Sequence, residues 1–194
     1  MNQAGVNKAQ DRLNRARLAF ERIEGAEDYS AFTHAWSDLL AALNNVHSSL
    51  EQAAKGNNPA MAWMGRCIAE RRTDPLLRYI HHARDADEHG LASVSELRLG
   101  GMKIGATGGG IHLRSLKIGP EGVNIDYSSV GGGQPKLEIT PSSARLVAVT
   151  NRGTSVDPPT VHRELPIEGV MPIEVGAAAL RYYEEMVQVA VTFA

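Results

Sequence analysis

Thr73 to Gly90, TDPLLRYIHHARDADEHG, reads as one helix with both ends marked. Thr73 or Asp74 can cap its first free N–H groups, and Pro75 suits the first helical turn. Gly90 stands where a helix stops, because a residue without a Cβ enters the left-handed region cheaply. Leu76, Leu77, Ile80 and Ala83 recur at helical spacing and give the first half a core-facing side. The second half is almost wholly polar: Arg84, Asp85, Asp87, Glu88 and His89. Such an end is either a solvated terminus or a site.

Upstream of it lie three more helical patterns. Leu13, Ala16, Phe20 and Ile23 make a narrow stripe ending near Gly25. Asp28 or Ser30 can cap a longer second helix, whose Phe32, Trp36, Leu39, Leu40, Leu43, Val46 and Leu50 keep the period to about Ala54. Gly56-Asn57-Asn58-Pro59 breaks the chain, and Pro59 opens a third helix carrying Met61, Trp63, Met64, Cys67 and Ile68 to about Arg72. Short connections favour antiparallel neighbours, so residues 1–92 are expected to form an antiparallel four-helix bundle.

Downstream of Gly90 the period falls to two. Leu97 and Leu99, Ile111 and Leu113, and Leu116 and Ile118 alternate with polar residues. Gly119-Pro120-Glu121-Gly122 then turns the chain into Val123, Ile125 and Tyr127, a hairpin pattern. Leu137 and Ile139 mark another strand, and Leu146–Thr150 a denser, more buried one. Asn151-Arg152-Gly153 turns that run back on Thr154–Val156, and Asp157-Pro158-Pro159 interrupts pairing. A last helix is expected from Val175 to Val191. The class is segregated α+β: a bundle over 1–92, then a strand-rich domain over 93–194 closed by a C-terminal helix.

Composition narrows the function. The net charge of −2 offers no global basic field for nucleic acid. Residues 1–90 hold 11 Lys and Arg against 12 Asp and Glu, and residues 91–194 hold 9 against 10, so neither part is polybasic. Cys67 is the single cysteine, which leaves no internal disulfide and no thiolate zinc cluster. Its place on an apolar helix face reads as packing. No apolar run approaches the roughly 20 residues of a bilayer span, and the start, MNQAGVNKAQDR, lacks a signal-peptide core. A soluble, cytoplasmic chain without contact with a membrane is expected.

Neither glycine cluster, Gly105–Gly110 with its Ala-Thr insert or Gly131-Gly132-Gly133, is followed by Gly-Lys-Ser/Thr, so both read as strand connections and no cofactor is implied. Ser142-Ser143, His112 and His162 show no triad spacing. The strand region is expected to serve recognition or assembly, either by presenting a modest basic face with Lys103, Arg114 and Lys117 or by docking a partner protein. On the fourth helix, His81, Asp85 and His89 follow i, i+4, i+8 spacing with His82 and Glu88 adjacent. Two imidazoles and a carboxylate suit zinc or non-haem iron, a metal alternative for this helix. His34 and His47 on the second helix stand as further ligands for it.

Arg84 and His89 are separated by roughly 140° around a helix of about 100° per residue, yet both can line a cleft formed with another element. An imidazole can move a proton at a ribose hydroxyl, and a guanidinium can hold phosphate oxygens, with no metal required. Four helices with Arg84-Asp85-Ala86-Asp87-Glu88-His89 late in the last one resemble the HEPN family (higher eukaryotes and prokaryotes nucleotide-binding). The resemblance covers residues 1–90 at most. It implies a metal-independent endoribonuclease or RNA-binding protein that forms a homodimer through the fourth helix. Arg84 and His89 would then be catalytic, with Asp85 at the polar position that most often holds asparagine. The alternative is a non-enzymatic interaction or dimerisation protein whose β domain docks a partner.

Overall fold

The computed structural model describes residues 1–90, 93–151, 153–169 and 171–194. In chain order the elements are α1 (Gln3–Glu24), α2 (Tyr29–Ala54), α3 (Asn58–Thr73), α4 (Pro75–His89), β1 (Ser95–Arg98), β2 (Gly101–Thr107), β3 (Gly110–Gly119), β4 (Gly122–Val130), β5 (Gln134–Thr140), β6 (Ser143–Leu146), β7 (Val149–Asn151), β8 (Thr154–Val156), β9 (Val161–His162), β10 (Leu165–Pro166) and α5 (Pro172–Val191). The class is α+β, with every strand pair whose register is described antiparallel.

Caps set the helix starts. Asp28 accepts the Ala31 N–H at 2.7 Å, Asn57 that of Ala60 at 3.0 Å, and Asp74 that of Leu77 at 3.0 Å. Gly90 ends α4 for a different reason from the one expected. Its φ of −91° is not left-handed. A Cβ there would instead lie 2.3 Å from the Ala86 carbonyl oxygen, so the close backbone approach demands glycine.

The chain divides into two compact units, and differently from a boundary at 92/93. One unit is Met1–Leu97 with Ala144–Ala194, and the other is Arg98–Ser143. Ala92 itself lies outside the described residues. In the first unit Leu13 and Ala16 of α1, Trp36, Leu40 and Leu43 of α2, and Leu76, Leu77 and Ile80 of α4 share one apolar core. Val175, Ala179, Tyr183 and Val187 of α5 are buried in the same core. An apolar stripe at helical spacing must be covered, and α1 and α2 cover that of α5, which ties the chain's end to its beginning.

Short ladders complete this unit: β1 with β6, β7 with β8, and β9 with β10. The expected dense strand Leu146–Thr150 is two pieces, because β6 ends at Leu146 and β7 starts at Val149. The carbonyl of Val147, between them, accepts the buried Tyr79 hydroxyl of α4 at 2.9 Å. The return of β7 onto β8 occurs as expected, Asn151 opposite Thr154. Arg152 of that turn lies outside the described residues.

The second unit is two nested ladders. β3 and β4 form the hairpin read from Gly119–Gly122, with Ile118 opposite Val123 and Leu116 opposite Ile125. A register shift between Leu113 and Ser115 inserts one extra residue in β3. That bulge keeps Ile111 and Leu113 on the same face as Leu116 and Ile118, despite the change from odd to even numbering. β2 and β5 pair outside it, Ile104 opposite Leu137 and Met102 opposite Ile139. The glycine clusters join the ladders. A Cβ on Gly133 would lie 2.2 Å from the Gly110 carbonyl oxygen, and one on Gly109 2.4 Å from that of Val130. No residue with a side chain fits either place unless the backbone shifts.

Candidate functional site

The last turns of α4 hold the residues read as catalytic. The Arg84 Nη1 donates to Asp85 Oδ1 at 3.0 Å, and its Nη2 pairs with Glu88 Oε2 one turn on. Asp85 also accepts from the Asn151 side chain of β7 at 3.2 Å, which ties the helix end to the first short hairpin after it. Burial works against the Asp85 charge. The Arg84 hydrogen bond, His81 and Asn151 outweigh it and hold the carboxyl below its ordinary range. Asp85 is therefore an ionised acceptor, with no proton to donate near neutrality.

His89 projects away, with its side chain 70% exposed and its Nε2 4.0 Å from Glu88 Oε2. Arg84 thus binds the Glu88 carboxylate, whereas the His89 ring stands near it but beyond a hydrogen bond. What separates this arrangement from a phosphate clamp is charge. Two carboxylates already bind the Arg84 guanidinium, and a phosphate would have to displace them or sit beside them. The clefts of about 660, 540 and 310 Å³ in the first unit are lined by other residues.

Deeper on α4, the His81 pKa is pushed down by burial first and then by Arg71, and its Nε2 stands 4.0 Å from Asp85 Oδ2, beyond a hydrogen bond. His47 of α2 is 1% exposed, and neither of its ring nitrogens has a hydrogen-bond partner among the described residues. Burial, with Arg71 and His81 adding, pushes it down to about 3. Among the described residues no three His, Cys, Asp or Glu side chains are placed to hold a metal ion. The stripe His81, Asp85 and His89 is therefore not gathered into a ligand set: i, i+8 spacing spreads it along two turns, and Asp85 is held by Arg84 and Asn151. Cys67 is buried, and its thiol is pushed up to about 11 by burial and by Glu70. This suits packing better than nucleophilic attack.

A second ionic cluster, at the other end of α4, has no counterpart in the sequence reading. Asp74 caps α4 and also accepts the Arg163 backbone N–H at 2.7 Å and contacts His162 Nδ1 at 3.0 Å. Arg163 and Glu164 form the two-residue loop between β9 and β10, with φ of 49° and 65°. Both lie in the left-handed region, where Asn-Gly is the usual choice. Side-chain bonds hold Arg163 there: Nε to Glu70 at 2.7 Å, Nη1 to Glu185 at 2.8 Å, and the guanidinium 4.9 Å from the Tyr182 ring centre. The Tyr182 hydroxyl donates to Glu70 at 3.0 Å. His162, Arg163, Tyr182 and Glu185 line the cleft of about 540 Å³. Each of these polar side chains is already engaged with a neighbour, and the cluster works as a clasp between α3, α4, α5 and the hairpin. No turn signal marks Arg163-Glu164, and only the N-cap role of Asp74 is legible in advance.

Ser142 accepts the Gly100 N–H at 2.9 Å, His162 belongs to the clasp, and His112 lies on β3 opposite Ser128. No helix among the described residues is long and apolar enough to cross a membrane. No family model, curated protein or solved structure matches the chain.

Proposed function

We infer that this chain is a non-enzymatic interaction protein: its helical unit, with α1–α4 as an antiparallel bundle of the HEPN kind, is the scaffold, and the 98–143 unit docks a partner. The observation that carries this reading is the apolar face of the nested ladders. Ile118 and Ile139 are 69% and 66% exposed, and Leu113 is 48% exposed. Leu113 and Ile118 share the apolar face of β3, and large apolar side chains left open in this way are a recognised mark of an interaction site. The state of Arg84 agrees, since a guanidinium held by Asp85 and Glu88 is engaged in structure.

A second reading, metal-independent RNA cleavage, draws on one observation: His89 Nε2 lies 4.0 Å from the Glu88 carboxylate that Arg84 binds, which keeps imidazole and guanidinium at one helix end. In it His89 moves the proton, Arg84 holds the phosphate and Asp85 orients the guanidinium. Incubation of a mixed RNA pool with purified protein in excess EDTA separates the two. The interaction reading expects no cleavage by wild type, Arg84→Ala or His89→Ala. Cleavage by wild type, lost in both equally folded variants, would overturn it and establish the nuclease.

A further inference from the structure

We propose that the partner of the β3–β4 face is a second copy of this chain, stacked face to face about a two-fold axis; this rests on the interaction reading above. A two-stranded ribbon is marginal in water unless one face is covered. The face is covered only in part: Ile111, Leu116, Val123, Ile125 and Tyr127 are half-buried, whereas Leu113 and Ile118 remain largely exposed.

Three features favour a second copy. The first is charge. The paired residues of the face, Ile111, Leu113, Leu116, Ile118, Val123, Ile125 and Tyr127, are uncharged, whereas Lys117 and Asp126 stand on the other side. A partner recognised by an anionic or cationic surface would find nothing to pair with here, and an uncharged face is complementary to itself. The second is shape. The Leu113–Tyr127 row is bulky and the Ile118–Val123 row is smaller, with Leu116–Ile125 between them. A two-fold axis along the Leu116–Ile125 row lays each bulky Leu113–Tyr127 row over the partner's smaller Ile118–Val123 row and leaves the Ile111–Ser129 rows at the rim, which is what an isologous contact requires. The third is area. A ladder about 30 Å long and 10 Å wide gives roughly 500 Å² per copy once side-chain relief is included, so about 1,000 Å² for two. That is the threshold for a specific contact, and it fits a dimer that dissociates on dilution.

α4 is the weaker interface. It packs against α2, α3, α5 and the strands β7–β9. Its exposed side chains are Pro75, Arg78, Asp87, Glu88 and His89, with no large apolar group among them.

Sedimentation of the full chain across a dilution series tests the proposal. The expected result is twice the 20.9 kDa chain mass at about 200 μM, moving toward the single mass on dilution. Leu113→Glu combined with Ile118→Glu should give the single mass throughout with unchanged helical circular dichroism. Lys117→Glu, on the opposite face, should sediment as wild type. Amide exchange of wild type needs no substitution: protection confined to residues 110–130 should rise with protein concentration. A wild type that stays single at about 200 μM overturns the second-copy assignment and leaves the face to a partner of other chemistry. Dimers indifferent to the paired glutamates, or exchange protection that does not follow concentration, overturn it as well. The interaction reading itself falls only to RNA cleavage in the assay above.

Discussion

Replacing Asp74 tests whether one carboxylate joins α4 to the β9–β10 hairpin. Asp74 is 8% exposed and serves three partners: Leu77 N–H at 3.0 Å, Arg163 N–H at 2.7 Å and His162 Nδ1 at 3.0 Å. Asp74→Ala removes a helix cap worth about 1 kcal/mol. It also strands the Arg163 N–H, at a cost of about 2 kcal/mol, while the left-handed Arg163-Glu164 loop loses a restraint. The sum, about 3 kcal/mol, lowers the melting temperature by roughly 6–12 °C for a chain of this length. Asp74→Ser keeps an oxygen that can cap α4 but is too short to hold the hairpin, so its loss should be about 2 kcal/mol. The assay is urea unfolding followed by helical circular dichroism, with both variants beside wild type. A Ser variant as stable as wild type would refute the clasp, since it would show that the hairpin bonds contribute nothing. The pH dependence follows from the same bonds. Burial opposes the Asp74 charge, but the Arg163 N–H, His162 and Leu77 together hold its folded pKa below the ordinary 3.8. Its contribution is therefore complete above that ordinary value and is lost as pH falls through the lower folded one.

Two other outcomes are expected. Gly133→Ala puts a Cβ 2.2 Å from the Gly110 carbonyl oxygen, and overpacking of this kind costs about 1–3 kcal/mol. Amide exchange over residues 110–130 should accelerate, with helical circular dichroism as the control, and unchanged exchange would mean the junction relaxes freely. His47 has its folded pKa depressed from 6.5 to about 3, so within that window the unfolded chain binds a proton that the folded chain does not. Stability should fall as pH drops through it, by at most about 1.4 kcal/mol per unit. His47→Leu should flatten that slope in urea titrations at successive pH values, and an equal slope in the variant would place the acid sensitivity elsewhere.

The helices were legible because each carries its own punctuation. Asp28, Asn57-Asn58-Pro59 and Asp74-Pro75 start helices where the caps and prolines imply, and the Gly119–Gly122 turn predicts the β3–β4 hairpin to the residue. What was not legible depends on distance along the chain. Nothing in the pattern of α5 says that its Val175 and Tyr183 share a core with Leu13, because an amphipathic stripe does not name its cover. Likewise Asp74 shows its cap, 3 residues from Leu77, but not its bond to a backbone N–H 89 residues on. The bulge near Arg114 was hidden for another reason: an inserted residue breaks the alternation that reveals strands, and only the partner's unbroken Val123, Ile125 and Tyr127 restores the phase.

The same contrast explains why a short motif at the end of α4 predicts residue identity better than chemistry. Helical spacing brings Arg84 to Glu88, four residues on, and Asp85 lies beside both, so proximity was implied by sequence alone. The outcome of that proximity depends on the second hydrogen-bond partner of the Asp85 carboxylate. Had Asn151 not anchored Asp85 from β7, the carboxylate would be free to swing off Arg84; the side-chain amide instead holds Asp85 where it faces the guanidinium. The charge of Arg84 is therefore spent on closing its own helix end. Function that depends on a free guanidinium requires that lock to open, whereas Leu113 and Ile118 on the apolar face of β3 are exposed already. An interaction surface needs no such rearrangement, and that difference is what favours it.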